Sequence, residues 1–200
     1  MTAPTAPRDK PIFRAPLAAG DVAPPLALKT AEGEIIDLGA DAVIGNPLVV
    51  VFWPRFDAAP VAAAVASMSA ALSALSSLGA RVFAVTLAQP REVAEQHLPM
   101  PVLLDRDGKA FAAWSAGTRE QPTTVVLRQN GHVTAILKGD PTAQAEGAVA
   151  AVRMLLEERK TLVPTPHAPI LVLPEVMSPE DCRRLIQIYE TRGKTFVEPG

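Results

Sequence analysis

The chain carries one cysteine, Cys182, and three histidines, His97, His132 and His167. Side chains able to serve as nucleophile, proton shuttle or transition-metal ligand are therefore few. A lone thiol forms no intramolecular disulfide, no C-x-x-C redox pair and no cysteine-rich zinc site, and it suits a reducing compartment. In "SPEDCRRLI" Cys182 follows Ser178, a predicted N-cap with Pro179 at the first helical position. A thiolate there gains from the helix dipole; Glu180 and Asp181 oppose the extra negative charge, while Arg183 and Arg184 favour it. The plainer reading is that Cys182, Leu185 and Ile186 recur at helical spacing and form a buried apolar face. Among the histidines, His97 ends a polar helix, His132 follows a hairpin turn and His167 lies in a proline-broken stretch. No two share a helix face, so they read as surface side chains rather than a metal set.

A second place for chemistry is the junction "VVVFWPRFDAAPVAAAVAS", Val49 to Ser67, where a buried strand runs into a helix. Asp57 is the expected N-cap, and Pro60 is tolerated in the first turn, where its missing N–H has no intrahelical acceptor. Val61, Val65, Met68, Leu72 and Leu75 form the expected apolar stripe, and Gly79 ends the helix. No nucleophile stands at this junction. Trp53 and Arg55, with Arg119 and Pro122 from a later segment, offer a candidate anion or small-ligand pocket; solvated arginines are the alternative.

The elements around these residues are legible from turn chemistry and periodicity. Residues 1–17 are proline-studded without apolar period, a flexible arm. In "GDVAPPLALKTAEGEIIDL" two short strands flank Glu32-Gly33. "NPLVVVFWP" is a central strand buried on both faces. "ARVFAVTL" and "MPVLLD" are further buried strands, separated by the short helix "PREVAEQHL". "RDGKAFAAWSAG" is a turn and a short helix, and "QPTTVVLRQNGHVTAILKG" is a hairpin through Asn130-Gly131. The glycines of "LDRDG" and "RQNGH" supply turns rather than phosphate loops. A last helix carries Ala145, Val149, Val152 and Leu156 inward. Alternating strands and helices make residues 18–160 one α/β domain. Residues 161–169 are a Pro-rich linker, and 170–200 hold one strand and one helix, too little for a core of their own.

Nearly half of the 200 residues are hydrophobic and a fifth are charged, which is globular composition. The formal net charge of −2 provides no basic field for nucleic acid or an anionic membrane. Neither a signal peptide nor a run near the ~20 apolar residues of a membrane span is evident, so a cytoplasmic location is expected.

Taken in order, these segments resemble the alkyl hydroperoxide reductase and thiol-specific antioxidant (AhpC/TSA, peroxiredoxin) family. "GDVAPPLALKTAEGEIIDL" is similar to its opening G-x-x-A-P-x-F-x-L pattern, "VVVFWP" to its strand ending in an aromatic and a proline, and "PVLLDRDGKAFAAW" and "PTTVVLRQNGHV" to its later segments. The resemblance implies a thioredoxin-like fold of the peroxiredoxin type, a central mixed sheet flanked by helices, with a short C-terminal strand-helix extension. It also implies an active loop: a proline, a threonine four residues on, a peroxide-attacking cysteine seven residues on, and an arginine before a later strand. The matching positions here are Pro54, Ala58, Val61 and Gln121, the arginine alternatively displaced to Arg119. Only the proline is kept. The resemblance further raises a cis Gln121–Pro122 bond beside Val61 as an alternative to the trans form that base rates favour.

"APILVLPEVMSPEDCRRLIQIYE" resembles the first strand and helix of prolyl-4-hydroxylase-like oxygenases. Their iron(II) and 2-oxoglutarate would enter only if an oxygenase domain follows, since no histidine here precedes an acidic residue by two positions. No cofactor is expected in this chain itself. The expected function is a degenerate, non-catalytic module acting in binding, dimerisation or regulation, as a homodimer or beside a downstream catalytic domain. Two alternatives stand: a redox enzyme using Cys182 or a partner's cysteine, and ligand binding in the former peroxide cleft.

Overall fold

Val49, Val50, Val51 and Phe52 are β-branched or aromatic residues that fit a pleated surface with both faces covered. In the computed structural model they build β3 (Leu48–Trp53), buried at every position. The structure describes residues 16–40, 43, 45–116, 121–161 and 178–192. The expected arm up to residue 15, the proline linker, the strand after residue 170 and Arg119 lie outside the described residues.

Around β3 a seven-stranded mixed sheet forms in the order β2-β1-β5-β4-β3-β6-β7. It comprises β1 (Ala27–Thr30), β2 (Ile35–Asp37), β4 (Arg81–Thr86), β5 (Val102–Leu104), β6 (Thr123–Leu127) and β7 (Val133–Leu137). Strands β3, β4 and β5 run parallel, while β6 lies antiparallel to β3 and β1 antiparallel to β5. Both expected hairpins are present. The second does not use a two-residue turn. Gly131 N–H donates to Arg128 O, Arg128 N–H to His132 O, and Gly131 takes φ +78°, the geometry of a turn closed by a glycine bulge.

Helices cover both faces: α1 (Ala59–Ser77), α2 (Pro90–Gln96), α3 (Lys109–Ala113) and α4 (Pro141–Thr161). Because strand side chains alternate, β3 feeds two cores. Val49, Val51 and Trp53 pack with Val61, Met68 and Leu75 of α1 and with Ala148 and Val152 of α4. Val50 and Phe52 pack with Phe111 of α3, Trp114 and Leu127. By length and composition α1 meets the criterion for a membrane span that no segment was expected to meet. It neighbours α4 and β4, with Val61, Ala64, Met68 and Leu75 buried.

The chain divides into two compact units, residues 1–161 and 162–200. Within the second, α5 (Pro179–Arg192) starts as expected. Asp181 N–H donates to Ser178 Oγ at 3.1 Å, and the Ser178 hydroxyl donates back to Asp181 Oδ2 at 2.6 Å. The expected burial of its apolar face is not found: Cys182 is exposed, and Leu185, Ile186 and Tyr189 are more than half exposed.

Candidate functional site

The strand-to-helix junction follows directly from β3. Trp53 closes the strand at 1% exposure and meets Phe56 edge-on at 6.3 Å between ring centroids. Pro54 is buried behind it. The chain then surfaces at Arg55 and Asp57, whose side chains pair through Nε to Oδ1 at 3.0 Å and Nη2 to Oδ2 at 2.5 Å. The expected N-cap role of Asp57 is therefore corrected. The cap residue is Ala58, without a side-chain hydrogen bond, because Asp57 is committed to Arg55 and α1 begins one residue later. The hydrogen bond from Arg55 holds the Asp57 carboxyl below the usual carboxylate range.

Val61 is wholly buried. Its backbone N–H donates to Ala58 O at 2.9 Å, and that of Ala62 to the same oxygen at 3.0 Å, so these two amides are spent within the turn. The expected apolar stripe packs inward: Val61, Met68 and Leu75 are buried, Val65 and Leu72 are partly buried against the same core, and Ala64 is buried in addition.

Pairing of Phe52 with Thr123 brings the start of β6 beside the end of β3, and so sets Pro122 next to the junction. Pro122 is buried and Gln121 exposed. The Gln121–Pro122 bond is trans, as no cis peptide occurs among the described residues. Sequence reasoning missed the side chain that fixes this corner. Gln144 on α4, 2% exposed, donates through Nε2 to Pro122 O at 3.2 Å and Gly139 O at 3.0 Å, and accepts from Thr124 Oγ1 at 3.0 Å. The signal was a glutamine on the inward side of an otherwise apolar helix face, one position before Ala145. Asp105 was likewise read only as part of a turn, yet it is fully buried and its Oδ2 accepts Phe111 N–H at 2.9 Å.

Trp53, Pro54, Arg55, Ala58, Val61, Gln121 and Pro122 thus surround one corner. Trp53 and Pro122 are buried there and Arg55 is engaged with Asp57. This corner can pack and present backbone, but none of its described side chains is a nucleophile. Cys182 belongs to the other unit. His97 sits in a left-handed conformation (φ 48°) ending α2, as placed from sequence. His132 is partly buried, with Nδ1 lacking a hydrogen-bond partner, rather than a fully exposed surface residue. His167 is outside the described residues. Among the described residues no group of three His, Cys, Asp or Glu side chains is placed to hold a metal ion.

The fold recurs in solved structures. Peroxidoxin BcpB from Mycobacterium tuberculosis superposes with a TM-score of 0.62 at 18% identity, over 70% of this chain and 98% of that one. The bacterioferritin comigratory protein of Xanthomonas campestris, whose structure concerns alkyl peroxide reduction, gives 0.56 at 19% identity, over 64% and 90%. The reduced 2-Cys peroxiredoxin of Plasmodium vivax gives 0.59 at 11% identity, over 71% and 98%. At such identities these likenesses establish the thioredoxin-like fold. No curated protein matches the sequence. The sequence signature of the AhpC/TSA family matches residues 19–136, more than half of the chain and all of the sheet except the end of β7. Signature, strand order and the buried β3–Pro54 junction agree: the chain belongs to the AhpC/TSA family.

Proposed function

We propose that this AhpC/TSA module is non-catalytic as a peroxidase and acts in the cytoplasm in binding, dimerisation or regulation. The burial of Val61 carries the reading. Peroxide reduction needs a thiolate at a helix N-terminus, its pKa lowered by free backbone N–H groups and nearby cations, attacking an O–O bond held by hydroxyl and guanidinium donors. Seven residues after Pro54 stands a valine that neither ionises nor donates an electron pair, and four residues after it an alanine without a hydroxyl. The backbone amides of Val61 and Ala62 are already bonded to Ala58 O. Loss of the sulfur and use of the position for packing go together.

The exposure of Cys182 favours a second reading, a thiol-dependent activity housed in the second unit. Peroxide consumption with a dithiol reductant, measured for the wild type and Cys182→Ser, separates the two. The non-catalytic reading expects both proteins at the rate of reductant alone; turnover abolished by the serine substitution overturns it and supports the thiol.

We further propose that residues 170–200 open an oxygenase-type domain. Its iron(II) and 2-oxoglutarate would be held by residues beyond Gly200, as the described residues of this chain supply no fitting ligand group. Sequencing the reading frame past Gly200 tests this. A His-x-Asp and a later histidine are expected, and their absence refutes it.

A further inference from the structure

We propose that the main unit takes an extended, basic peptide segment of a partner protein as an added strand beside the start of β4. The sheet is incomplete there. β4 begins at Arg81, but its pairing with β5 begins only at Ala84, opposite Val102. The chain ahead of β5 is Pro99-Met100-Pro101. Ala84 N–H donates to Pro101 O at 3.0 Å, and the next bond down this ladder would need an N–H on Pro101, which proline lacks.

The direction of the unpaired groups follows from the register. In a strand, the N–H and C=O of one residue point to the same edge, and those of the next residue to the other. Arg81 N–H donates to Pro47 O on the β3 side, and Ala84 N–H to Pro101 O on the β5 side. Val82 therefore faces the β5 side, where neither its N–H nor its C=O has a hydrogen-bond partner among the described residues. The residue is only 6% exposed, and a buried backbone pair is nearly always satisfied. A groove of about 660 Å3 lies against it, lined by Val82, Phe83 and Met100 and, from β2 and its approach, by Glu34, Ile35 and Asp37. One residue of an incoming antiparallel strand both donates and accepts, so an extended peptide satisfies Val82 at once. Charge selects among such peptides. Glu34 and Asp37 line the groove against one cation, Arg81, and Ile35, 64% exposed, offers apolar contact. The excess of carboxylate favours a segment bearing Lys or Arg. This surface gives the binding role proposed above a partner, and it stands or falls apart from the peroxide assay.

The test selects peptides from a random octapeptide library on the immobilised full chain and titrates the enriched ones into 15N-labelled protein. Sequences with Lys or Arg and no central proline are expected, with a saturable shift of the Val82 amide cross-peak. Binding to the double variant Glu34→Lys, Asp37→Lys is expected to be weaker by about tenfold or more. Both side chains are exposed, and Glu34→Lys alone keeps the comparison should the double variant not fold. No enriched sequence, or peptides that bind while the Val82 amide stays unmoved, overturns the proposal. Unchanged affinity for the charge-reversed variant overturns the basic segment. A Val82 amide that exchanges in the free chain only as slowly as those of β3 overturns it too, the edge then being closed by the chain itself.

Discussion

Introducing Val61→Cys separates a missing sulfur from an unsuitable setting. The side chains are close in volume, so the variant is expected to fold with a loss of about 1 kcal/mol or less in urea denaturation. Its thiol is expected to react with hydrogen peroxide no faster than free cysteine, because the site is buried, Ala58 offers no hydroxyl and the nearby amides are bonded. A stopped-flow rate far above that of the free thiol would show that the junction keeps its activating power. On the adjoining surface, Arg55→Gln is expected to raise the Asp57 titration midpoint toward that of an ordinary carboxylate, seen in the NMR titration of its carboxyl carbon. The sign follows from the lowered pKa: the Arg55 hydrogen bond favours the ionised, folded form above the unfolded carboxylate's pKa, and this is lost as pH falls through the folded value. Asp57 is fully exposed, so the effect belongs to its titration and not to a melting curve. The burial of Val61 was legible in the sequence because it opens the apolar stripe of α1. The Arg55–Asp57 pair was not, because a capping motif and an i, i+2 ion pair draw on the same aspartate and only geometry decides between them.

Among the elements, the hairpins, β3 and the alternation of strands and helices follow from turn residues and apolar period. What escaped was polar: Gln144 reads as a blemish on α4, yet it ties that helix to the carbonyl of Pro122, just before β6. Gln144→Ala leaves Pro122 O, Gly139 O and Thr124 Oγ1 without this partner and is expected to cost about 2 kcal/mol, as a lower urea midpoint with unchanged slope. No period or motif encodes a side chain that bonds groups some twenty residues away, so such a residue is found by structure alone. Gly131 shows the opposite case. Asn130-Gly131 announced a turn, and its positive φ makes Gly131→Ala cost about 1 kcal/mol through backbone strain, since open space surrounds the position. The α1 stripe falls between these cases. Its period was readable, but the burial of Ala64 was not, because a single alanine scarcely marks a helix face.

For the molecule as a whole, Leu156 is the last apolar residue among the described ones to pack against either core. A chain ending at Thr161 is therefore expected to fold and to melt within about 2–4 °C of the full chain, the equivalent of roughly 1 kcal/mol at this size. A loss of cooperative melting would show that the second unit completes the first. The exposure of α5 was not legible in the sequence, because an amphipathic pattern says that a face requires cover without saying what supplies it. The two-sided burial of β3 has a kinetic consequence. Its amides are bonded to β4 and β6 and its side chains belong to both cores, so no partial opening can release them. In deuterated solvent they should be the last to exchange, at the rate of complete unfolding, while those of β2 at the sheet margin exchange early by local fraying. The slowest-exchanging amide of this strand then serves as an internal gauge of the stability of the whole unit.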